Sequence, residues 1–232
     1  MRIALACAGI AGWLAVQPGT AQAQFAASVA LTSDYRVRGV SLSDRRPALS
    51  LGVSDDLANG VFLGGTAIAQ DAADSHGRFL AHEEYAGYAQ RLTNGMTWEA
   101  GLDNQRYEGY GPTPIRLSYS EAFFGLSAGR VTTRLYYSPN YNGSGHNIAY
   151  LETNAAMRPA GGWRVAGHVG VFEPLNRWRG VAMRPRYDAR ADLIRKLGPA
   201  ELSLGWAAAS PPAGPEHKRS RGAFIVGLAA YF

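Results

Sequence analysis

Ser144-Gly145-His146-Asn147 is the stretch closest to hydrolytic chemistry. A serine becomes a nucleophile when a base sits within hydrogen-bond reach and a third group orients that base. Here the pair lies at the end of a glycine-rich run, with no such third group nearby in sequence. Asp71, Asp74 and His76 gather in another polar stretch, which reads as a solvated loop. The histidines His76, His82, His146, His168 and His217 show no ligand spacing, so no metal and no cofactor are expected. Ionic side chains spaced by two or four recur far more often. Asp34, Arg36 and Arg38 form one such set; Glu99 and Asp103, Arg164 and His168, and Asp188, Arg190 and Asp192 form others. Glu121, Arg134 and Glu152 occupy the same kind of position, with Asn154 and Glu201. A period of two places side chains on one face of a β-strand, so these groups call for strands to hold them.

Twelve segments have that character. They run Ser28–Val40, Pro47–Asp55, Val61–Gln70, His82–Leu92, Met96–Gln105, Tyr119–Ser127, Val131–Ser138, Asn147–Arg158, Trp163–Val171, Arg186–Lys196, Glu201–Trp206 and Gly222–Phe232. In most, an apolar set alternates with the polar one: Leu49, Leu51 and Val53 against Ser50, Gly52 and Ser54, or Val165, Val169 and Val171 against Arg164, His168 and Gly170. His82–Leu92 resists a clean reading, because Glu83 and Glu84 are adjacent. The connections alternate as well. Longer polar loops take turns with tight ones such as Asn59-Gly60 and Asn94-Gly95, which are hairpin signals.

The last strand reads G-A-F-I-V-G-L-A-A-Y-F. Phe224, Val226, Leu228 and Phe232 share its large apolar face, and it ends on an aromatic residue with no charge or proline. Such an end needs a strand partner and an apolar solvent. A closed antiparallel transmembrane β-barrel supplies both, because its last strand pairs with its first. An even strand count and alternating short and long connections are the pattern of outer-membrane barrels, with short periplasmic turns and longer extracellular loops.

Composition agrees with this class. The 232 residues carry a net charge of +5, and 28 are glycines and 12 tyrosines. A mean hydropathy of −0.16 is no argument against a membrane barrel, whose strands alternate apolar and polar. The basic residues are scattered, with no run or motif for nucleic acid. Residues 1–23 read as a secretory signal: Met1-Arg2, an apolar stretch to Val16, and Ala21-Gln22-Ala23 for cleavage, leaving 24–232 as the barrel. The sole cysteine, Cys7, lies in that segment, so no disulfide framework is expected.

Energy decides which face looks outward. An arginine or lysine facing lipid at the bilayer midplane costs about 2–4 kcal/mol. Several would exhaust a stability of about 5–15 kcal/mol. The charged face is therefore expected to line the lumen and the apolar face to meet lipid, with Tyr35, Trp98, Tyr137, Trp163, Tyr187, Trp206 and Phe232 as interface girdles.

The run Ser28 to Ser43, S-V-A-L-T-S-D-Y-R-V-R-G-V-S-L-S, resembles the opening strand of the TorF-like porins, a proteobacterial outer-membrane family. The likeness continues at Pro47-Ala48-Leu49, Glu84-Tyr85-Ala86-Gly87-Tyr88, Tyr136-Tyr137-Ser138-Pro139-Asn140-Tyr141 and Gly167-His168-Val169-Gly170. The basic loop Arg177–Arg186 departs from it. The resemblance implies an outer-membrane barrel with a pore role and no catalytic residues. The expected function is passage of small hydrophilic solutes; a plugged barrel with a structural or surface-interaction role is the alternative. The expected partners are outer-membrane lipids, those solutes and the barrel-assembly machinery, which would read the C-terminal strand. A lipid-modifying hydrolase ranks lower. Outer-membrane phospholipases place histidine before serine, and Ser144 precedes His146.

Overall fold

The computed structural model describes residues 24–70, 77–110, 115–176, 184–211 and 220–232. The segment read as a secretory signal and the Asp71, Asp74, His76 group lie outside them, as does most of the basic loop after Asn176. The strands are β1 (Gln24–Thr32), β2 (Arg36–Val37), β3 (Val40–Ser41), β4 (Ala48–Asp56), β5 (Val61–Gln70), β6 (Arg78–Arg91), β7 (Thr97–Tyr110), β8 (Ile115–Ala128), β9 (Val131–Tyr141), β10 (His146–Met157), β11 (Trp163–Pro174), β12 (Arg186–Leu197), β13 (Ala200–Ala209) and β14 (Ala223–Tyr231). β1 and β4 to β14 form one closed antiparallel barrel of twelve strands, and β2 and β3 form a separate two-stranded ribbon. The first strand pairs with the last, Leu31 opposite Leu228, so the barrel has no free edge.

Alternation sorts the side chains by face. Leu102, Val169 and Leu204 are 66, 57 and 52 % exposed, whereas Glu121 and Glu152 are 1 and 4 % exposed. This is an apolar exterior around an ionic interior. Trp163, Tyr187, Trp206 and Phe232 are exposed on the outside. Trp98 is half-buried and stacks at 6.4 Å on exposed Phe124. Replacing Leu151, an exposed residue midway along β10, with arginine is expected to cost about 2–4 kcal/mol in equilibrium unfolding from bilayers. The same change at Thr93, an exposed turn residue, is expected to stay within about 0.5 kcal/mol.

Local chemistry shapes the tight connections. Gly60 and Gly95 have φ of 90° and 85°. The preceding asparagines are not in the left-handed region. Instead, the Asn59 and Asn94 carboxamide oxygens accept the amides of Val61 and Met96, each at 3.1 Å. Several strands are longer than their composition suggests. β7 runs to Tyr110 and β8 begins at Ile115, where glycines and prolines had pointed to a long loop from Arg106 to Leu117. Ladder bonds between the two strands override the local preference.

β6 explains the adjacent glutamates. Its register against β5 shifts between Ile68 and Ala69, leaving Leu80 as an extra residue. Leu80 and Ala81 are both buried, and beyond the bulge Glu83 points inward and Glu84 outward. The first strand is a correction too. Rather than spanning Ser28–Val40, it starts at Gln24 and leaves the sheet after Thr32.

Candidate functional site: a hairpin across the lumen

Ser33 ends the first strand against β14. Its amide donates to the Val226 carbonyl at 2.9 Å, and its hydroxyl accepts the Val226 amide at 3.0 Å. The chain then turns into the barrel. The Asp34 carboxylate organises the turn, accepting from Arg36 Nε at 2.7 Å and from the Ser41 hydroxyl at 2.6 Å. The Ser43 hydroxyl accepts the Tyr35 amide at 2.9 Å, and the Leu42 amide donates to the Tyr35 carbonyl at 2.8 Å. β2 and β3 pair Arg36 with Ser41 and Val37 with Val40. The two residues between them, Arg38 and Gly39, have φ of 48° and 72°. Positive φ at both central residues matches the twist of a two-residue hairpin.

This hairpin touches opposite walls. Arg36 Nη1 donates to the Gly39 and Arg221 carbonyls, both at 3.0 Å, and to the Ala207 carbonyl at 3.4 Å. Gly39 lies against Ala208, Ala209 and Asp188, on β13 and β12. At the tip, Arg38 crosses to β8 and donates to the Glu121 carboxylate. Its guanidinium carbon lies 4.1 Å from the Tyr150 ring centroid and 5.7 Å from those of Tyr119 and Tyr136, within cation–π range. Tyr35 and Val37 pack inward with Leu42, Ala48, Ile68, Leu80, Ala81, Tyr107 and Tyr119.

Asp34, Arg36 and Arg38, read from sequence as one wall of the first strand, therefore belong to this inserted hairpin. Tyr35, expected in a girdle, is 4 % exposed and inside. A proper parity argument could not survive the turn at Ser33.

The other ionic positions sit on barrel strands with their side chains inward. Glu99 on β7 accepts from Arg134 on β9, and Glu201 on β13 accepts from Arg164 on β11. Arg190 grips Asp192 through two bonds of 2.7 Å. His168 contacts Asp188 at 2.7 Å and the Asn154 carboxamide oxygen at 2.6 Å, and the Tyr150 hydroxyl donates to Asp188 at 3.1 Å. Glu152 accepts from Asn154 at 3.1 Å and Tyr136 at 3.3 Å. Asp103 is buried, with Oδ1 unpartnered. On the outside, Phe224, Val226 and Leu228 on β14 and Phe232 just after it are all exposed.

The interior divides into two halves. On the β4 to β11 side, aromatic side chains fill the bore: Phe62, Phe123, Tyr85 and Tyr136 in one cluster, Tyr150, Phe172 and Tyr141 in another. On the β10 to β14 side a cavity of about 100 Å³ remains. Arg164, His168, Asp188, Arg190, Glu201 and Ser203 line it, and the hairpin contributes Arg36, Arg38 and Gly39. Tyr119, Tyr136 and Tyr150 were missed in the sequence, although each lies two residues from a named ionic position and so shares its face.

Ser144 and His146 do not form a nucleophile–base pair. The Ser144 hydroxyl donates to the Tyr141 carbonyl and accepts the His146 amide at 3.3 Å, while His146 is buried with Nδ1 unpartnered.

Similar folds occur among solved outer-membrane proteins at low identity. OccAB3 of Acinetobacter baumannii is 12 % identical, with 88 % of this chain and 59 % of that one covered and a TM-score of 0.45. OpdK of Pseudomonas aeruginosa is also 12 % identical, with 80 % and 57 % covered and a TM-score of 0.43. BamA of Haemophilus ducreyi is 10 % identical, with 91 % and 70 % covered and a TM-score of 0.37. The chain spans less than two thirds of the length of the first two. No curated protein matches the sequence. A family model does match, over residues 16–183, and on that extent the chain belongs to the bacterial proteins of unknown function termed Gcw_chp.

Proposed function

We propose that this protein is an outer-membrane channel for small hydrophilic solutes, with its path along the ionic half of the lumen and its constriction at the inserted hairpin. The observation that carries this reading is the pairing of an apolar exterior with an ionic cavity inside a closed barrel. Only a bilayer makes both faces favourable, because exposed leucine and valine gain from hydrocarbon while buried charges need water or partners. The resemblance to TorF-like porins points the same way. In this reading residues 1–23 direct export, outer-membrane lipids surround the barrel, and Phe224, Val226, Leu228 and Phe232 form the face presented to the assembly machinery. Asp34, Arg36, Arg38, Glu99, Asp103, Glu121, Arg134, Glu152, Arg164, His168, Asp188, Arg190 and Asp192 form the ionic lining.

A second reading has its own support. The hairpin and the aromatic clusters fill much of the bore, as in a plugged barrel with a structural or surface role. Planar-bilayer recording of refolded protein separates the two. Discrete conductance steps, with a reversal potential in a salt gradient, are the expected result. A silent bilayer containing correctly folded protein would favour the plug.

A further inference from the structure

The exterior of β6, β7 and β8 interrupts the apolar belt. Glu84, Asn104 and Ser120 form one outward row across these strands, and the Asn104 carboxamide donates to the Ser120 hydroxyl at 2.8 Å. The next outward row toward the loop end is His82, Arg106 and Ser118. Glu84 is not near a rim. It lies four residues from exposed Tyr88 and five from exposed Phe79 on its own strand. With a rise of about 3.3 Å per residue, a tilt of about 40° and Leu80 an extra bulge residue, it stands about 10 Å above one aromatic and about 10 Å below the other. Elsewhere the middle of the wall is apolar: Leu135, Leu151, Val169, Leu204 and Val226 are all exposed.

Glu84 and Arg106 make no ion pair among the described residues, and Glu84 is exposed. A carboxylate facing hydrocarbon at that depth is unfavourable. The outward positions flanking the row are small, Gly65 and Ala67 on β5, Ala86 on β6 and Ala122 on β8, with exposed Leu102 on β7 between the last two as an apolar knob for a second wall to pack on. We propose that this face is the contact between two copies of the chain, an inference that rests on the membrane reading above.

The patch is self-complementary. A two-fold axis along the membrane normal at β7 sets β6 of one copy against β8 of the other. Glu84 then faces the serine edge of the second copy and comes within reach of its Arg106, and the reverse contact forms by symmetry. The two signs on one face are what a second copy satisfies and a lipid chain does not.

Cysteine crosslinking of the full chain tests this, with Cys7→Ala removing the sole native thiol. Asn104→Cys, near the proposed axis, is expected to oxidise to a dimer in most molecules in native membranes. Val169→Cys, exposed on β11, should remain monomeric. Adding Glu84→Arg to Asn104→Cys should lower the dimer at least fivefold, and Arg106→Glu on top should restore much of it. If folded Asn104→Cys dimerises no more than folded Val169→Cys, or crosslinks to a different protein, the proposal is overturned. Conductance of the same preparations separates the ideas: conduction without dimers sinks this contact alone, and dimers without conduction sink the channel alone.

Discussion

Arg38→Ala raises single-channel conductance several-fold and shifts selectivity toward cations. The guanidinium stands between the rings of Tyr119, Tyr136 and Tyr150, at the tip of a hairpin that spans the bore. Truncation removes a large group from the constriction proposed above. It also leaves the Glu121 carboxylate, already 1 % exposed, without its cation. Breaking a buried ion pair from one side costs about 3–5 kcal/mol, so the local structure is expected to open and admit water around Glu121. A newly hydrated carboxylate in the path favours cations. Glu121→Gln provides the comparison. It loosens the same tether and keeps the arginine in the bore, so a smaller rise in conductance and the opposite selectivity shift are expected. Recording both variants in a salt gradient checks the pair. Unchanged conductance and reversal potential in folded Arg38→Ala would place the path elsewhere.

Gly39→Val should undock the hairpin while the barrel stays closed. A Cβ at this position would lie 2.7 Å from the Ala208 carbonyl oxygen and 2.8 Å from the Cβ atoms of Ala209 and Asp188. These belong to the barrel wall and cannot swing aside. The residue also has φ of 72°, which disfavours a side chain by about 1–2 kcal/mol, and the collision adds about 1–3 kcal/mol. The barrel ladder does not include β2 or β3, so its twelve strands can keep their pairing. Trypsin then becomes the probe. Arg36 and Arg38 are buried in the docked hairpin and should be cut in the variant at least tenfold faster. Gly198→Ala is the control, since it has φ of 63° with nothing within 4 Å. Equal protease resistance in Gly39→Val and the unaltered protein would show that the hairpin is not held by this contact.

How far the sequence reached depends on the distance over which each signal acts. Period-two alternation is local, so it located twelve strands and separated Leu102 from Asp103 or Val165 from Arg164 without any tertiary knowledge. The tight turns at Asn59-Gly60 and Asn94-Gly95 were equally legible. Strand ends were less so, because glycine and proline near Arg106 and Pro112 favour a loop locally, and only pairing with the neighbouring strand extends β7 and β8. At Glu83 and Glu84 the alternation holds and the apolar-polar code fails: Glu83 is buried and Glu84 is an acid on the outward face, which no local repeat foretells.

The run from Ser33 to Ser43 shows the boundary most clearly. Its own residues fixed only that Asp34, Arg36 and Arg38 alternate with Tyr35 and Val37, which read as the continuation of one strand. The chain as a whole fixed that a charged set would alternate with a greasy one throughout, and hence that these two sets must face different solvents. Folding alone decided that this run enters the bore rather than lengthening the first strand, that Arg38 meets Glu121 across 83 residues of chain, and that the aromatics gather on one side of the lumen. A local repeat encodes which way a side chain points from its strand; which far-off wall it reaches depends on the closure and stagger of the whole sheet.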